Sequence, residues 1–407
     1  MMVAKSHKIL LETTPEHDQL FISWCGTARW AYNKGLERNR AMYQKGEKKS
    51  MGAYALMQEV VALKQTTEYD WLREVPKSIP RMALMHLGAA FSYFFRRVKE
   101  DKAEKGFPKF KSRKRSRLSF HLEPDAIRVD GNHVRLPKLG WLKMHQAIRF
   151  SGKLIGSVCI SKTAGKWHAS FTVETEIGEV DHQDEPVVGL DVGVKTLAVL
   201  SDGTEFENPK AFYHLERVLA RTQRQMTRKQ KGSKRWQKAK LRVQHIHKRI
   251  ADVRANATHR VSAHVATHYS GVAIEDLNVQ GMVKNHHLAQ AVMDANFQEL
   301  HRQLRYKMLW VGGEVRQVDQ WFPSNKLCSA CGCIHDGLML ADREWTCRCG
   351  TRHDRDINAA INLAKRCWPG VDGHCAGTDR RSHAPDEPRT TFVGRTKKGV
   401  LPSLAAV

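Results

Sequence analysis

The stretch of this chain that most restricts its fold is Val187-Val188-Gly189-Leu190-Asp191-Val192-Gly193-Val194-Lys195, followed by Leu197-Ala198-Val199-Leu200 and then Asp202-Gly203. It reads as an apolar strand carrying one carboxylate, a turn, a second apolar strand and another turn. Two further acids stand in similar places. Gly271-Val272-Ala273-Ile274-Glu275 is a short apolar run in which alternation puts Val272 and Ile274 on one face and Glu275 on the other. In His353-Asp354-Arg355-Asp356-Ile357-Asn358-Ala359-Ala360-Ile361-Asn362-Leu363, Asp356 opens an Ala-rich helix and can point back at a sheet edge.

Each acid alone is ambiguous, because an acid at a strand end or helix start commonly serves as a cap or turn residue. Taken together, Asp191, Glu275 and Asp356 suit a phosphodiester hydrolase of RNase H-like fold. That chemistry uses two divalent ions about 4 Å apart, and hard Mg²⁺ ions need carboxylate oxygens to hold them.

Nine cysteines invite a disulfide reading, but Cys328, Cys331, Cys333, Cys347 and Cys349 fall in one window. That crowding suits a metal site in a reducing compartment. Cys328-Ser329-Ala330-Cys331-Gly332 and Cys347-Arg348-Cys349-Gly350 are paired cysteines followed by Gly, the form of a zinc knuckle. Cys328, Cys331, Cys347 and Cys349 are therefore the expected ligands of one structural Zn²⁺, with unligated thiols or a redox pair as alternatives. The second pair is C-x-C, one residue tighter than usual, so Cys333, His335 or His353 are candidate substitutes. Cys25, Cys159, Cys367 and Cys375 are scattered and read as inert apolar residues.

Lys and Arg number 67 against 42 acids, a net charge of +25. Such a chain repels itself unless a polyanion neutralises it, which points to nucleic acid. The charge is clustered. Lys109, Lys111, Arg113 and Lys114 fall in the run GFPKFKSRKRSR, and Arg224, Arg228, Lys234 and Arg235 fall in a pair of basic helices expected over residues 213 to 254. All are candidate phosphate contacts. No stretch reaches the roughly 18 to 20 apolar residues of a membrane span, and the N-terminus lacks the pattern of a signal peptide. A membrane partner is not expected, and the expected location is a prokaryotic cytoplasm or nucleoid.

Periodicity divides the chain. The first strand and residues 105–180, with alternating patterns around Asp130-Gly131 and Gly165, suggest a β-barrel domain (1–16 and 105–180). Residues 17–104 have helical spacing and read as an insertion between its first two strands, with aromatics such as Trp24 and Phe91 in the core. DHQDEP (181–186) is a linker. The second half reads as a nuclease domain (186–320 and 351–370) with an inserted helical hairpin and a zinc ribbon (321–350). In the hairpin, Leu215, Leu219 and Met226 should face Val243, Ile246 and Ile250. The tail, 371–407, is polar and aperiodic and reads as disordered. The fold class is α/β multidomain.

With these residues assembled, the sequence resembles the TnpB (OrfB) family of insertion-sequence proteins, relatives of the compact type V CRISPR nucleases. The matching stretches are GLDVGVKTLAVLSDG, AIEDLNVQGM, FPSNKLCSACG, EWTCRCG and HDRDINAAINL, with GFPKFKSR and LPKLGW in the first half. The resemblance implies an RNA-guided DNA endonuclease with a RuvC-like site made of Asp191, Glu275 and Asp356; Asp276 and Asp354 are neighbours rather than ligands. It also implies a guide RNA transcribed from the transposon end, a double-stranded DNA target, and a barrel (wedge) and helical (recognition) insertion that hold RNA and a short flanking motif. The segment Pro76-Lys77-Ser78-Ile79-Pro80-Arg81 is similar to the family's contact with that motif, which makes Lys77 and Arg81 candidates for base readout. A separately encoded transposase of the same element is a further candidate partner. Two other functions are compatible with the pattern: a cleavage-inactive, RNA-guided DNA-binding regulator, and a transposition accessory protein.

Overall fold

The computed structural model describes residues 1–46, 51–100, 106–177, 186–339 and 342–370. Most of the DHQDEP linker, the tail from 371 and Cys375 lie outside the described residues. In the first half, β1 (Met2–Leu10) is followed by helices α1 (Pro15–Gln44), α2 (Ala53–Leu63) and α3 (Ser78–Lys99). Then come β2 (Ser119–Leu122), β3 (Arg128–Asp130), β4 (His133–Leu136), β5 (Gly140–Lys143), β6 (Lys153–Leu154), β7 (Val158–Thr163) and β8 (Lys166–Glu176).

Strand β1 runs antiparallel to β8, from Met2 opposite Glu176 to Leu10 opposite His168, so the helices sit between strands of one sheet. The order is β1-β8-β7-β2, with β6 paired to β8. Where the sequence suggests one barrel, β3, β4 and β5 form a separate sheet, joined to the first by the bridge Leu11–Met144. Strand β4 uses both of its edges on β3 and β5, so these three close on one another. Both sheets nevertheless share a core that includes Ile9, Phe120, Val134, Leu142 and Trp167.

Helix α1 starts at Thr14, whose hydroxyl accepts from the His17 amide while the His17 ring accepts from the Thr14 amide. One face of α1 then enters the sheet core. Phe21 meets Trp167 edge to face at 5.1 Å, and Trp24 meets Phe120 at 5.4 Å. The other face packs Ala31, Tyr32 and Leu36 against Leu56 of α2 and Leu84, Leu87 and Phe91 of α3. Trp24 and Phe91 are core, as their spacing implies, whereas Val98 at the end of α3 has run past its partners and is 40% exposed.

The second half contains β9 (Val187–Val192), β10 (Thr196–Leu200), β11 (Glu205–Glu207), α4 (Ala211–Thr227), α5 (Lys234–His268) and β12 (Gly271–Glu275). Next are α6 (Val279–Lys284), α7 (His286–Ala295), α8 (Phe297–Val311), β13 (Glu314–Val318), β14 (Glu344–Thr346), β15 (Arg352–Asp354) and α9 (Arg355–Cys367). The sheet order is β11-β10-β9-β12-β13, with β9, β12 and β13 parallel. Val188, Leu190, Val272 and Ile274 face α5 and α8 through Val261, Val265, Leu300, Leu304 and Met308. Helix α9 covers the opposite face, where Ala273 and Val318 meet Leu363. The hairpin pairs Leu219 with Val243 and Ile250, flanked by Leu215, Met226 and Ile246, as the helical period requires. Its second arm does not stop near 254, because residues beyond it turn apolar and carry α5 into the core of the second-half sheet to His268. Among the described residues, no helix is long and apolar enough to cross a membrane.

Candidate active site and metal centre

Register sets the first two acids side by side. Strands β9 and β12 pair in parallel from Val187 and Gly271 up to Leu190 and Ile274, so the next residues along, Asp191 and Glu275, stand at one level near the ends of their strands. Paired residues of parallel neighbours share a face. Asp191 and Glu275 therefore lie on the face of Gly189 and Ala273, the face that α9 covers. Gly189 is what lets α9 come so close: a Cβ there would stand 1.8 Å from the Ala360 carbonyl oxygen and 2.9 Å from the Ala364 nitrogen. The start of α9 is fixed by Asp354, whose carboxylate accepts from the amides of Asp356 (2.9 Å) and Ile357 (3.0 Å). Asp354 is thus a cap, and the Asp356 side chain is available to face elsewhere. Asp276, the other neighbour, accepts a hydrogen bond from the Gln317 amide and is likewise occupied.

The third acid completes the group electrostatically. Burial pushes the Asp191 carboxyl up to about 8, helped by the charges of Asp356 and Glu275, with Arg355 acting in the opposite sense. Burial also raises Glu275. Asp191 and Glu275 both resist ionisation, which a bound cation would relieve, and oxygen donors are what Mg²⁺ prefers. The three do not converge on a single point: among the described residues, the set of donor atoms all within 4.8 Å of one another is a cysteine quartet.

That quartet is Cys328, Cys331, Cys347 and Cys349. The first knuckle closes with the Gly332 amide on the Cys328 carbonyl, the second with the Gly350 amide on the Cys347 carbonyl, each at 2.9 Å. Both glycines have positive φ, +74° and +88°, which side-chain-bearing residues rarely adopt. The tighter C-x-C spacing still brings its thiols to the others, with Cys331 and Cys347 Sγ atoms 3.5 Å apart and those of Cys328 and Cys349 at 3.8 Å. Four convergent thiols fit one tetrahedral zinc. The Thr351 hydroxyl, 3.3 Å from Cys349 Sγ, helps hold that thiol down to about 6. Of the substitute ligands, Cys333 and His335 stand outside the quartet, while His353 Nε2 lies 3.0 Å from Cys328 Sγ. Cys25 and Cys159 behave as apolar residues, their thiols raised by burial, Cys25 to about 12.

Among the candidate nucleic-acid contacts, Lys77 and Arg81 are exposed at the start of α3 and line one cleft of about 420 Å³, with Arg81 ion-paired to Glu123 at 2.8 Å. Lys111 is held by a two-way bond between its backbone and the Asn33 side chain, and its ammonium lies 3.9 Å from the Tyr32 ring centroid. Lys109, Arg113 and Lys114 flank it, exposed. Arg224, Arg228, Lys234 and Arg235 are exposed around the tip of the α4–α5 hairpin, apart from the acids in sequence and on a separate core. Sequence reasoning missed Arg343, which donates to both Asp356 oxygens at 3.2 and 3.0 Å. No periodicity marks it, and only the folding of the ribbon onto α9 brings it there.

The chain matches three family models: probable transposase of the OrfB IS605 type over residues 170–286, the Cas12f1-like TNB domain over 297–363, and an OrfB helix-turn-helix domain over 1–48. Here residues 1–46 form a strand and one long helix rather than two helices about a turn. A Streptomyces pristinaespiralis protein named as a putative RNA-guided DNA endonuclease is 36% identical over 383 residues, covering 91% of this chain and 92% of that protein. The Escherichia coli K12 protein InsQ, named likewise, is 33% identical, covering 84% and 86%. In fold, the chain is similar to the cryo-EM structure of the Cas12f1–sgRNA–target DNA complex, with a TM-score of 0.53 and 12% identity over 89% of this chain and 99% of that one. A likeness of sequence that runs through both halves, with the fold to match, leaves one conclusion: the chain belongs to the OrfB (TnpB) family of insertion-sequence proteins.

Proposed function

We propose that this protein is an RNA-guided DNA endonuclease that cuts guide-matched DNA at a RuvC-like, Mg²⁺-dependent site formed by Asp191, Glu275 and Asp356. The observation that carries the reading is Asp191: a half-buried carboxylate next to the last residue of its strand, feeling the charges of both other acids. Two divalent ions bound by these carboxylates would supply an activated water and stabilise the leaving oxygen. The chain's own part is placement. Asp191 and Glu275 are fixed by a parallel ladder, Asp356 by a capped helix, and Arg343 holds the Asp356 carboxylate in one orientation. The cysteine quartet would hold a structural zinc.

Guide pairing would read the target sequence, leaving the protein a short flanking duplex. Lys77 and Arg81 are the residues to make that contact. Arg81 is exposed yet oriented by Glu123, which suits bidentate recognition of guanine. The basic hairpin tip and the 109–114 run would take RNA or DNA phosphates.

The test uses purified protein with its co-purifying RNA, Mg²⁺ and guide-matched DNA. Asp191→Ala should abolish cutting and leave RNA binding unchanged. Undiminished cutting by the variant would end the assignment, and site occupancy by the wild type without any nicking would favour the regulator.

A further inference from the structure

Two side chains of the HDRDINAAINL motif have no part in the mechanism above. Asn358 and Asn362 stand one turn apart on α9 and are 1% and 3% exposed. A buried amide is costly unless its hydrogen bonds are made, so an apolar residue would be the ordinary choice on an Ala-rich helix. Both amides are engaged, and the partners are backbone groups of the ribbon. Asn358 accepts from the Ser329 amide at 2.9 Å and donates to the Leu327 carbonyl at 2.7 Å. Asn362 donates to the same Leu327 carbonyl at 2.7 Å and to the Ser324 carbonyl at 2.8 Å. Lys365 adds a bond to the Ser329 carbonyl at 2.8 Å.

Leu327 and Ser329 are the residues on either side of Cys328. The backbone that aims the first knuckle thiol is therefore fastened to the helix whose first turn carries Asp356. Two other ties run between the same partners. His353, 3.0 Å from Cys328 Sγ, immediately precedes the cap Asp354, and Arg343, four positions before Cys347, reaches Asp356. Asn358, Asn362 and Lys365 tie α9 to the knuckle in addition to its packing on the sheet, so loosening the knuckle removes one of the supports of its first turn.

We propose that Asn358 and Asn362 are positioning residues that couple the cysteine quartet to the carboxylate site, so that zinc loading of the ribbon sets the placement of Asp356 and with it the affinity for the catalytic divalent ions. This rests on the nuclease reading given above, and it adds that the two metal sites are energetically linked. Linkage requires that the effect run in both directions.

The experiment compares the full-length wild type, Asn358→Ala and Asn358→Asp, the last keeping size and the acceptor to Ser329 while losing the donor to Leu327. Two quantities are read: the rate of zinc release to a competing chromophoric chelator, and Mn²⁺ affinity by electron paramagnetic resonance, well below the melting temperature. Both variants should release zinc faster and bind Mn²⁺ on the order of tenfold more weakly, as loss of an outer-sphere partner does elsewhere. Wild-type protein stripped of zinc by a nitrogen chelator and desalted should show the same Mn²⁺ weakening, and this arm stands even if Asn358→Ala does not fold. Unchanged Mn²⁺ affinity in the stripped protein and the variants would overturn the coupling. A merely structural role would lower the melting temperature and leave Mn²⁺ affinity as it was, and so would also overturn it. Mn²⁺ binding to the wild type that Asp191→Ala does not diminish would instead remove the nuclease reading itself.

Discussion

At the scale of single residues, the seating of α9 depends on a position with no side chain. Gly189 lies two residues before Asp191 on the same face, and it is there that the backbone of α9 touches the sheet. Gly189→Ala would drive a methyl group into the Ala360 carbonyl, an atom that cannot rotate away. The expected cost is at least 1–3 kcal/mol, roughly the range for overpacking, measured as a fall in the denaturation midpoint. Cleavage should fall further than stability explains, because α9 must retreat and take Asp356 with it. Unaltered midpoint and activity would mean that the helix does not pack as described. The sequence marked Asp191, Glu275 and Asp356 because a charge in an apolar run is visible without a fold. It could not mark Arg343 or the value of Gly189, since an arginine in a loop and a glycine in a strand have many uses.

Among elements, β2 and α8 each place a histidine where it cannot easily charge. His121 on β2 meets His86 of α3 at 4.4 Å, near Lys111, and His301 on α8 lies near Arg305 and Asp276. Burial depresses both to about 4 from an ordinary 6.5. A base with a lowered folded-state pKa contributes stability that is present above its unfolded value and is lost as pH falls from 6.5 toward 4. Asp191, raised to about 8, acts in the opposite sense over an overlapping range, gaining for the folded state as pH falls. The informative quantity is therefore a difference. His301→Leu, which removes a buried ring nitrogen with no hydrogen-bond partner among the described residues, should melt higher relative to wild type at pH 5 than at pH 7.5. An equal difference at both would show that His301 does not resist protonation. Element positions were largely legible from periodicity: the helical insertion, the hairpin strands at Asp130-Gly131 and Gly165, and the α4–α5 pair all stand where the pattern put them. The overrun of α5 to His268 was not, because a helix that changes partners midway changes its periodic face as well.

For the molecule as a whole, the charge of +25 must be answered by a polyanion. If the exposed cations at the hairpin tip and in the 109–114 run neutralise phosphates, RNA affinity should fall steeply with salt. For six to ten neutralised phosphates the drop is roughly 10³ to 10⁵ between about 50 and 200 mM. Replacing Arg224, Arg228, Lys234 and Arg235 with Gln should flatten the slope of log affinity against log salt by about 0.7 for each phosphate no longer neutralised. A slope that does not change would place the RNA elsewhere.

The sequence by itself located most of the elements, the cysteine pairs and the family, and singled out the three acids as candidates, because hydrophobic period, turn chemistry and motif spacing are local properties of the chain. Tertiary structure alone decided that β3, β4 and β5 form their own sheet, that the shortened knuckle still closes its quartet, and that Asn358 and Asn362 fasten that knuckle to the helix of Asp356. Such facts depend on backbone groups distant in sequence meeting across a packed interface. The hydrogen-bonding capacity of a backbone is the same at nearly every residue, so nothing in the order of side chains announces which groups will meet.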